Sequence, residues 1–301
     1  MASLTATPES LDEAYNTCLT IVKSRAKNFY FAFLTLPRRE RLAICTVYAF
    51  CRTCDDYSDD DLELQQKLDL LEQQRHLLHE ALDGRPTTPE FLALQDTVER
   101  YGIPRHYFDE IIDGVTMDLT VSRYPSFDEL YKYCYLVASV VGLVCIEIFG
   151  YSDPKAKEHA IDLGIAMQLV NIMRDVKEDA ERDRVYLPQD EMERVGYLES
   201  DLFTGVLNGP FDELMRLQSQ RAREHFQKAG RLLPLISPKA RACPAALQGL
   251  YSELLRRIET RGYNVYGPRI RLSTRDKIWL AGKIWLASAI KRLLPRSKSS
   301  S

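Results

Sequence analysis

The stretch Gln168-Leu-Val-Asn171-Ile-Met-Arg174-Asp175-Val-Lys-Glu178-Asp179 carries a helical period. Gln168, Asn171, Asp175 and Asp179 advance by three, four and four residues, which sets them in one polar stripe on an α-helix. Leu169, Val170, Ile172, Met173 and Val176 lie across from that stripe and can face a packed interior. Strand signals are almost absent: few alternating Val, Ile and Thr runs occur, and Asn-Gly or Asp-Gly turns do not bound them.

Outward from this segment the same period recurs. Pro37 stands where a first-turn proline belongs, and Arg38 to Asp60 has Leu42, Val47, Tyr48, Phe50, Cys51 and Cys54 at helical spacing. Further helices are predicted over 63–82, 90–101, 104–121, 127–150, 154–183, 210–233, 238–261 and 273–294. Gly84-Arg-Pro86, Gly102-Ile-Pro104, Tyr124-Pro125, Pro188, Gly209-Pro210 and Gly267-Pro268 separate them. No repeat and no low-complexity linker divides the chain, so the fold class is all-α, a single bundle-like domain. Residues 1–20 read as an N-terminal tail and the start of a first helix, 21–295 as the domain, and 296–301 as a tail; 1–8 would be frayed.

Composition narrows the function. The chain has 301 residues, 45% hydrophobic and 28% charged, with 14 Gly and 14 Pro, which excludes collagen-like and wholly disordered classes. Its net charge of -3 is uneven: from Arg269 to Ser301 nine basic residues face one acid, a tail of +8 that leaves -11 on the remainder. An acidic body lacks the clustered Lys and Arg that bind a phosphate backbone, so nucleic acid is not an expected partner. It suits a protein that recruits divalent cations. Seven scattered cysteines and a start without an apolar leader point to a cytoplasmic protein with reduced thiols. The apolar run 278–290 is too short to span a bilayer and contains Lys283. Trp279, Trp285, Leu286 and Leu293 among Lys277, Lys283, Lys291 and Arg292 fit peripheral membrane contact, and equally a last bundle helix with a basic outer face.

Two carboxylate clusters share a geometry. Asp55-Asp56-Tyr57-Ser58-Asp59-Asp60-Asp61 ends a predicted helix, where negative charge opposes the macrodipole and needs compensation. Asp55 and Asp59 are four apart, as are Asp56 and Asp60, so each pair shares a face. Asp175 and Asp179 repeat that spacing. One acidic run is usually a solvated surface; the recurrence inside a helix with apolar neighbours favours metal. Mg²⁺ takes one or two carboxylates with waters and substrate phosphates. Two such helices facing each other would clamp a diphosphate, the arrangement for ionising an allylic diphosphate.

With these residues in view, the chain resembles the squalene/phytoene synthases, the head-to-head isoprenyl diphosphate synthases, from about Ser24 to about Lys277. The resemblance rests on Asn28-Phe29-Tyr30-Phe31-Ala32-Phe33, on Tyr48-Ala-Phe-Cys51-Arg52-Thr-Cys54-Asp55-Asp56-Tyr57-Ser58-Asp59, and on Tyr133-Cys134-Tyr135-Leu-Val-Ala138-Ser139-Val-Val-Gly142. The segment 168–179, followed by Arg184-Val-Tyr186-Leu-Pro188, completes it. The third and fourth segments are most similar to bacterial presqualene diphosphate synthases of hopanoid and squalene pathways.

That resemblance implies an isoprenoid-synthase bundle around a central cavity. Asp55, Asp56, Asp59, Asn171, Asp175 and Asp179 would hold Mg²⁺, three ions in all. Arg52, Arg174 and Arg269 would meet the diphosphates, with Gln168 and Asn171 completing the polar stripe. Tyr48, Tyr133, Tyr186 and Tyr251 would line the cavity, where aromatic faces stabilise a carbocation and a phenol relays a proton. Phe29 and Phe33 would form the tunnel wall, and their bulk favours C15 over C20 chains. The implied reaction joins two farnesyl diphosphates into presqualene diphosphate. Phytoene formation from two geranylgeranyl diphosphates, and squalene formation with NADPH, stay open beside it, as does a non-catalytic assembly factor. No G-x-G-x-x-G and no P-loop occurs, so NADPH is not expected. Cys51-Arg-Thr-Cys54 is a lone C-x-x-C pair and reads as helix packing.

Overall fold

The computed structural model describes residues 7–25, 27–273 and 276. The chain runs through α1 (Pro8–Arg25), α2 (Lys27–Phe33), α3 (Arg38–Asp59), α4 (Leu64–Leu82), α5 (Pro89–Tyr101) and α6 (His106–Thr120). A second half follows in α7 (Phe127–Cys134), α8 (Val140–Phe149), α9 (Ala156–Ala180), α10 (Gln189–Val195), α11 (Glu199–Thr204), α12 (Gly209–Ala229) and α13 (Ala242–Thr260). Among the described residues there is no named strand, so the all-α reading holds. The first helix begins inside the expected tail. The segment 273–294 lies outside the described residues, apart from Ser273 and Asp276, as do the tail 296–301 and residues 1–6.

Local chemistry sets most of the boundaries. Thr88 caps α5, accepting from the Phe91 amide at 3.3 Å with Pro89 in the first turn; Asn208 does the same for α12, from Phe211 at 3.0 Å. Pro37 is the residue before α3 rather than its first helical position, since its ψ of 155° is extended.

The predicted helix over 127–150 is interrupted: one π turn, Tyr135–Ser139, separates α7 from α8. It is seated between two glycines. A Cβ on Gly164 of α9 would stand 2.5 Å from the Ser139 Cα, and one on Gly114 of α6 would meet Leu136 and Val137 at 3.0 Å. The Ser139 hydroxyl donates to the Ile161 carbonyl at 2.9 Å, tying the turn to α9. A π turn re-aims the side chains beside it, and here Val137 and Ala138 line the central cavity.

Helix α9 packs on α12, α8 and α13, while α3 packs on α1, α5 and α6. Across the far side, buried Glu191 of α10 accepts from Gln218 at 2.6 Å and from Arg221 at 2.8 Å, and Arg221 lies 3.9 Å over the Phe127 ring. That ion pair is fully partnered, as a buried charge must be, and it joins α10, α12 and α7. The helical stretch Phe127–Phe149 is long and apolar enough to cross a membrane, with 50% of that window buried inside the body. Val137, Val141, Cys145, Ile146 and Phe149 from it face the cavity, which accounts for its apolarity.

Candidate active site

A cavity of about 530 Å³ opens between α3 and α9. Its body is apolar, with Val141, Cys145, Ile146, Leu163, Met167 and Leu247 on the wall. Its polar end gathers Arg52, Asp55, Asp59, Asp118, Gln168 and Asn171. An apolar vessel with a few convergent polar groups is the usual form of a small-molecule site.

The α3 cluster divides by face. Asp55 and Asp59 line the cavity, whereas Asp56 does not: the Arg52 guanidinium donates to it, and Arg25 stands 4.0 Å away. Burial pushes the Asp55 carboxyl up to about 6, and the charges of Asp59 and Asp118 add to the effect against Arg52. Arg52 also reaches Asp59 at 3.8 Å, and its Nε is buried with no hydrogen-bond partner. An orphaned guanidinium N–H at the polar end of a cavity is a donor waiting for an anion.

The α9 cluster is held differently. Asp175 accepts from Arg174 Nε at 2.7 Å and from Arg269 Nη2 at 2.8 Å; Arg269 also lies 3.5 Å from Glu178. Burial, with Asp175 and Asp118 nearby, pushes Asp179 up to about 7. Asn171 Nδ2 donates to Gln168 Oε1 at 3.2 Å, keeping the polar stripe on the cavity face. Just past α9, Arg182 reaches Asp59 at 3.5 Å, so the ends of the two acidic helices adjoin at the mouth. Arg174 and Arg269 line an adjoining recess of about 370 Å³, which shares Phe29, Leu247 and Tyr251 with the main cavity.

Two aromatic groups flank the space. Phe29 stands 6.3 Å from Phe33, 6.1 Å from Tyr48 and 6.5 Å from Tyr251, ring centre to ring centre. Opposite them Tyr133 stacks on Tyr186 at 5.2 Å, and Tyr124 on Tyr186 at 5.7 Å. Tyr48, Tyr133 and Tyr251 line the cavity; Tyr186 lies behind, on a small recess with Asp179 and Arg184. Burial raises the Tyr48, Tyr133, Tyr186 and Tyr251 phenols, so all four stay protonated near neutrality.

Asp118 of α6 was not among the residues singled out from the sequence. It accepts from the Tyr133 hydroxyl at 2.9 Å, from the Tyr186 hydroxyl, and from Arg184 at 3.0 Å. Its signal was available: Ile111, Val115 and Asp118 advance by four and three residues, placing one acid on the apolar stripe of an otherwise ordinary helix. Tyr124, whose buried hydroxyl has no partner, was likewise read only as part of a breaker.

The donor set fits a hard cation. Two carboxylates, Asp55 and Asp179, driven above their usual range by burial and by neighbouring acids are relieved when positive charge arrives. Among the described residues no three His, Cys, Asp or Glu side chains converge on one point. Mg²⁺ asks for less, since water and substrate phosphate fill most of its shell. Cys51 and Cys54 are free thiols, as are the other five cysteines.

An all-α bundle whose apolar cavity is rimmed by paired aspartates and arginines defines an isoprenoid-type prenyltransferase. The family model for squalene/phytoene synthase matches residues 22–276, and the chain belongs to that family. Its members are prenyltransferases that condense allylic prenyl diphosphates head to head, and the family is generally dependent on divalent metal. The chain is 37% identical over 281 residues to the 15-cis-phytoene synthase of Synechococcus elongatus, covering 89% of this chain and 91% of that one. It is also 37% identical over 288 residues to the chloroplastic phytoene synthase 1 of Arabidopsis thaliana, covering 93% and 68%. Among solved structures it superposes on a dehydrosqualene synthase with a TM-score of 0.86 at 28% identity, covering 94% and 99% of the two chains. On the squalene synthase HpnC of Alicyclobacillus acidocaldarius the TM-score is 0.81 at 28% identity, covering 86% and 97%.

Proposed function

We propose that this chain joins two geranylgeranyl diphosphates head to head through a cyclopropyl diphosphate to phytoene, without a reductant. The observation that carries the chain length is the run of phytoene synthases at 35–37% identity, each matching about nine-tenths of the chain or more. Small side chains on the cavity wall, Ala138, Gly142, Ala160 and Gly164, leave room for a long prenyl tail. A second reading, two farnesyl diphosphates to presqualene diphosphate, is favoured by the Phe29–Phe33 pair on the wall and by the likeness to a dehydrosqualene synthase.

In this reading Asp55 and Asp59 with Asn171, Asp175 and Asp179 hold Mg²⁺, and Asp56 supports them through Arg52. Bound there, the metal supplies neutralisation of the departing diphosphate. The chain's own part is positional. Arg52 offers its unpartnered Nε to a phosphate oxygen, while Arg174 and Arg269 turn guanidinium groups toward the adjoining recess. Gln168 keeps the Asn171 amide on the cavity face. Tyr48, Tyr133 and Tyr251 present ring faces to the allylic cation, and the apolar wall keeps water from quenching it. Tyr186 backs Tyr133 by stacking.

The test is product analysis by mass spectrometry, with purified protein, Mg²⁺ and either geranylgeranyl or farnesyl diphosphate, with and without NADPH. A C40 hydrocarbon from the C20 substrate without NADPH is the expected result. A C30 cyclopropyl diphosphate from farnesyl substrate alone would move the assignment to the second reading, and squalene only with NADPH would overturn the reductant-free reaction.

A further inference from the structure

Of the three tyrosines on the cavity wall, Tyr133 alone donates its hydroxyl to a carboxylate. A phenol has one hydrogen, so with that hydrogen on Asp118 the oxygen can turn only lone pairs toward the cavity. Asp118 is arranged for this. One of its oxygens, Oδ1, accepts from both Tyr133 and Tyr186, and the other, Oδ2, is held by Arg184. The Tyr133–Tyr186 stack and the Tyr124 ring against both keep the phenol from rotating away.

We propose that Asp118 and Tyr133 form a proton relay that serves closure of the cyclopropane ring, an inference that rests on the condensation reading above. After the two prenyl chains couple, a C–H bond on the attacked carbon, the C1 that carried the departed diphosphate, breaks and its electron pair closes onto the cationic carbon of the former alkene as the third side of the ring. The hydrogen passes to the Tyr133 oxygen as that oxygen's own hydrogen passes to Asp118. The phenol is regenerated and the carboxylate ends as a carboxylic acid, so charge and protons balance. A weak base suffices, because the proton leaves a carbocation, and with Tyr133 buried and Asp118 only 19% exposed the step is largely shielded from water. Asp118 acts through Tyr133 and is in that sense a positioning residue.

Four variants test it, Asp118→Asn, Asp118→Glu, Tyr133→Phe and the double Tyr133→Phe/Asp118→Asn, each read by kcat, KM and calorimetric binding of inorganic pyrophosphate with Mg²⁺. Asp118→Asn keeps an acceptor oxygen but cannot take a proton, and is expected to lower kcat by about 10²–10⁴, with KM and pyrophosphate affinity within about threefold of wild type. Asp118→Glu keeps the carboxylate and is expected to turn over at least about tenfold faster than Asn; a packing role predicts the opposite order. With Tyr133→Phe in place, adding Asp118→Asn is expected to cost less than about twofold, because residues in one relay are not additive. The full Asn effect persisting in that background would overturn the relay, as would loss of pyrophosphate binding along with turnover. Should the Asn variant fail to fold, a Glu variant that binds pyrophosphate but does not turn over would overturn it too. A wild-type protein that couples neither substrate overturns the condensation reading and the relay together, whereas an active wild type matched by its Asn variant overturns the relay alone.

Discussion

The two aspartate clusters have the same spacing and different settings. In α3 the acids crowd a helix C-terminus: Asp56 and Asp59 are 40% and 49% exposed, and arginines from α1, from α3 itself and from the turn after α9 gather on them. In α9 they sit in the last turns of a helix wrapped by its neighbours, with Asp175 only 16% exposed and clamped between Arg174 and Arg269. Each cluster nonetheless has one member lifted by burial, Asp55 to about 6 and Asp179 to about 7. Identical i, i+4 spacing therefore places carboxylates on a face, and the neighbouring elements decide which of them meets the cavity and at what energetic cost.

The largest expected effect separates members of one cluster. Asp59→Asn and Asp175→Asn are each expected to lower turnover by more than about a hundredfold, since even partners one layer beyond a metal's ligands cost 10–100-fold. Asp56→Asn, which acts one layer back through Arg52, is expected to cost only about tenfold. Steady-state kinetics at saturating Mg²⁺ would break the comparison if Asp56 and Asp59 proved equal.

A second expectation concerns stability and has the opposite sign. The folded Asp179 carboxyl titrates near 7 against an ordinary value of 3.8. Between those limits the unfolded chain gives up its proton while the folded chain keeps it, so stability falls as pH rises through the window and the penalty is complete above 7. In metal-free protein at pH 8, Asp179→Asn is expected to stabilise the fold by about 1–3 kcal/mol, a rise of a few degrees in Tm, while turnover is lost. Differential scanning calorimetry at pH 5 and pH 8 checks it: the gain should vanish near pH 4, and a destabilised variant at pH 8 would contradict the burial argument.

A third tests how firmly α9 is seated. Gly164→Ala would press a methyl group into the Ser139 backbone and is expected to cost about 1–3 kcal/mol by denaturant melts. A neutral substitution would mean that the turn gives way without cost.

Smallest is Arg52→Lys, which removes the orphaned Nε and the fork geometry yet keeps the charge. Pyrophosphate affinity in the presence of Mg²⁺ is expected to weaken by about fivefold to twentyfold, as for one charge-assisted hydrogen bond; unchanged affinity would place the phosphate elsewhere.

The long helices and both acidic clusters were legible because their signals are local: a 3.6-residue period, a first-turn proline, a Gly or Pro breaker. Burial of each acid was not. The spacing leaves Asp55/Asp59 and Asp56/Asp60 equivalent, and only the packing of α3 turns the first pair inward. Helices α10 and α11 are seven and six residues long, too short to show a period. The π turn depends on Gly114 and Gly164, residues far away in sequence. Asp118 escaped for a related reason, since one acid in a helix has meaning only when Tyr133 from α7 and Arg184 and Tyr186 from the segment after α9 converge on it. Chain length was the least legible: Phe29 and Phe33 point to C15, whereas the proposed C20 reading rests on relatives named phytoene synthases at 35–37% identity.

Stoichiometry tests the central claim most directly. With geranylgeranyl diphosphate, Mg²⁺ and no reductant, two substrates consumed should yield one C40 hydrocarbon and two inorganic diphosphates, the two counted in the same reaction. Diphosphate released with only C20 alcohols, and no new carbon–carbon bond, would contradict head-to-head condensation at this site.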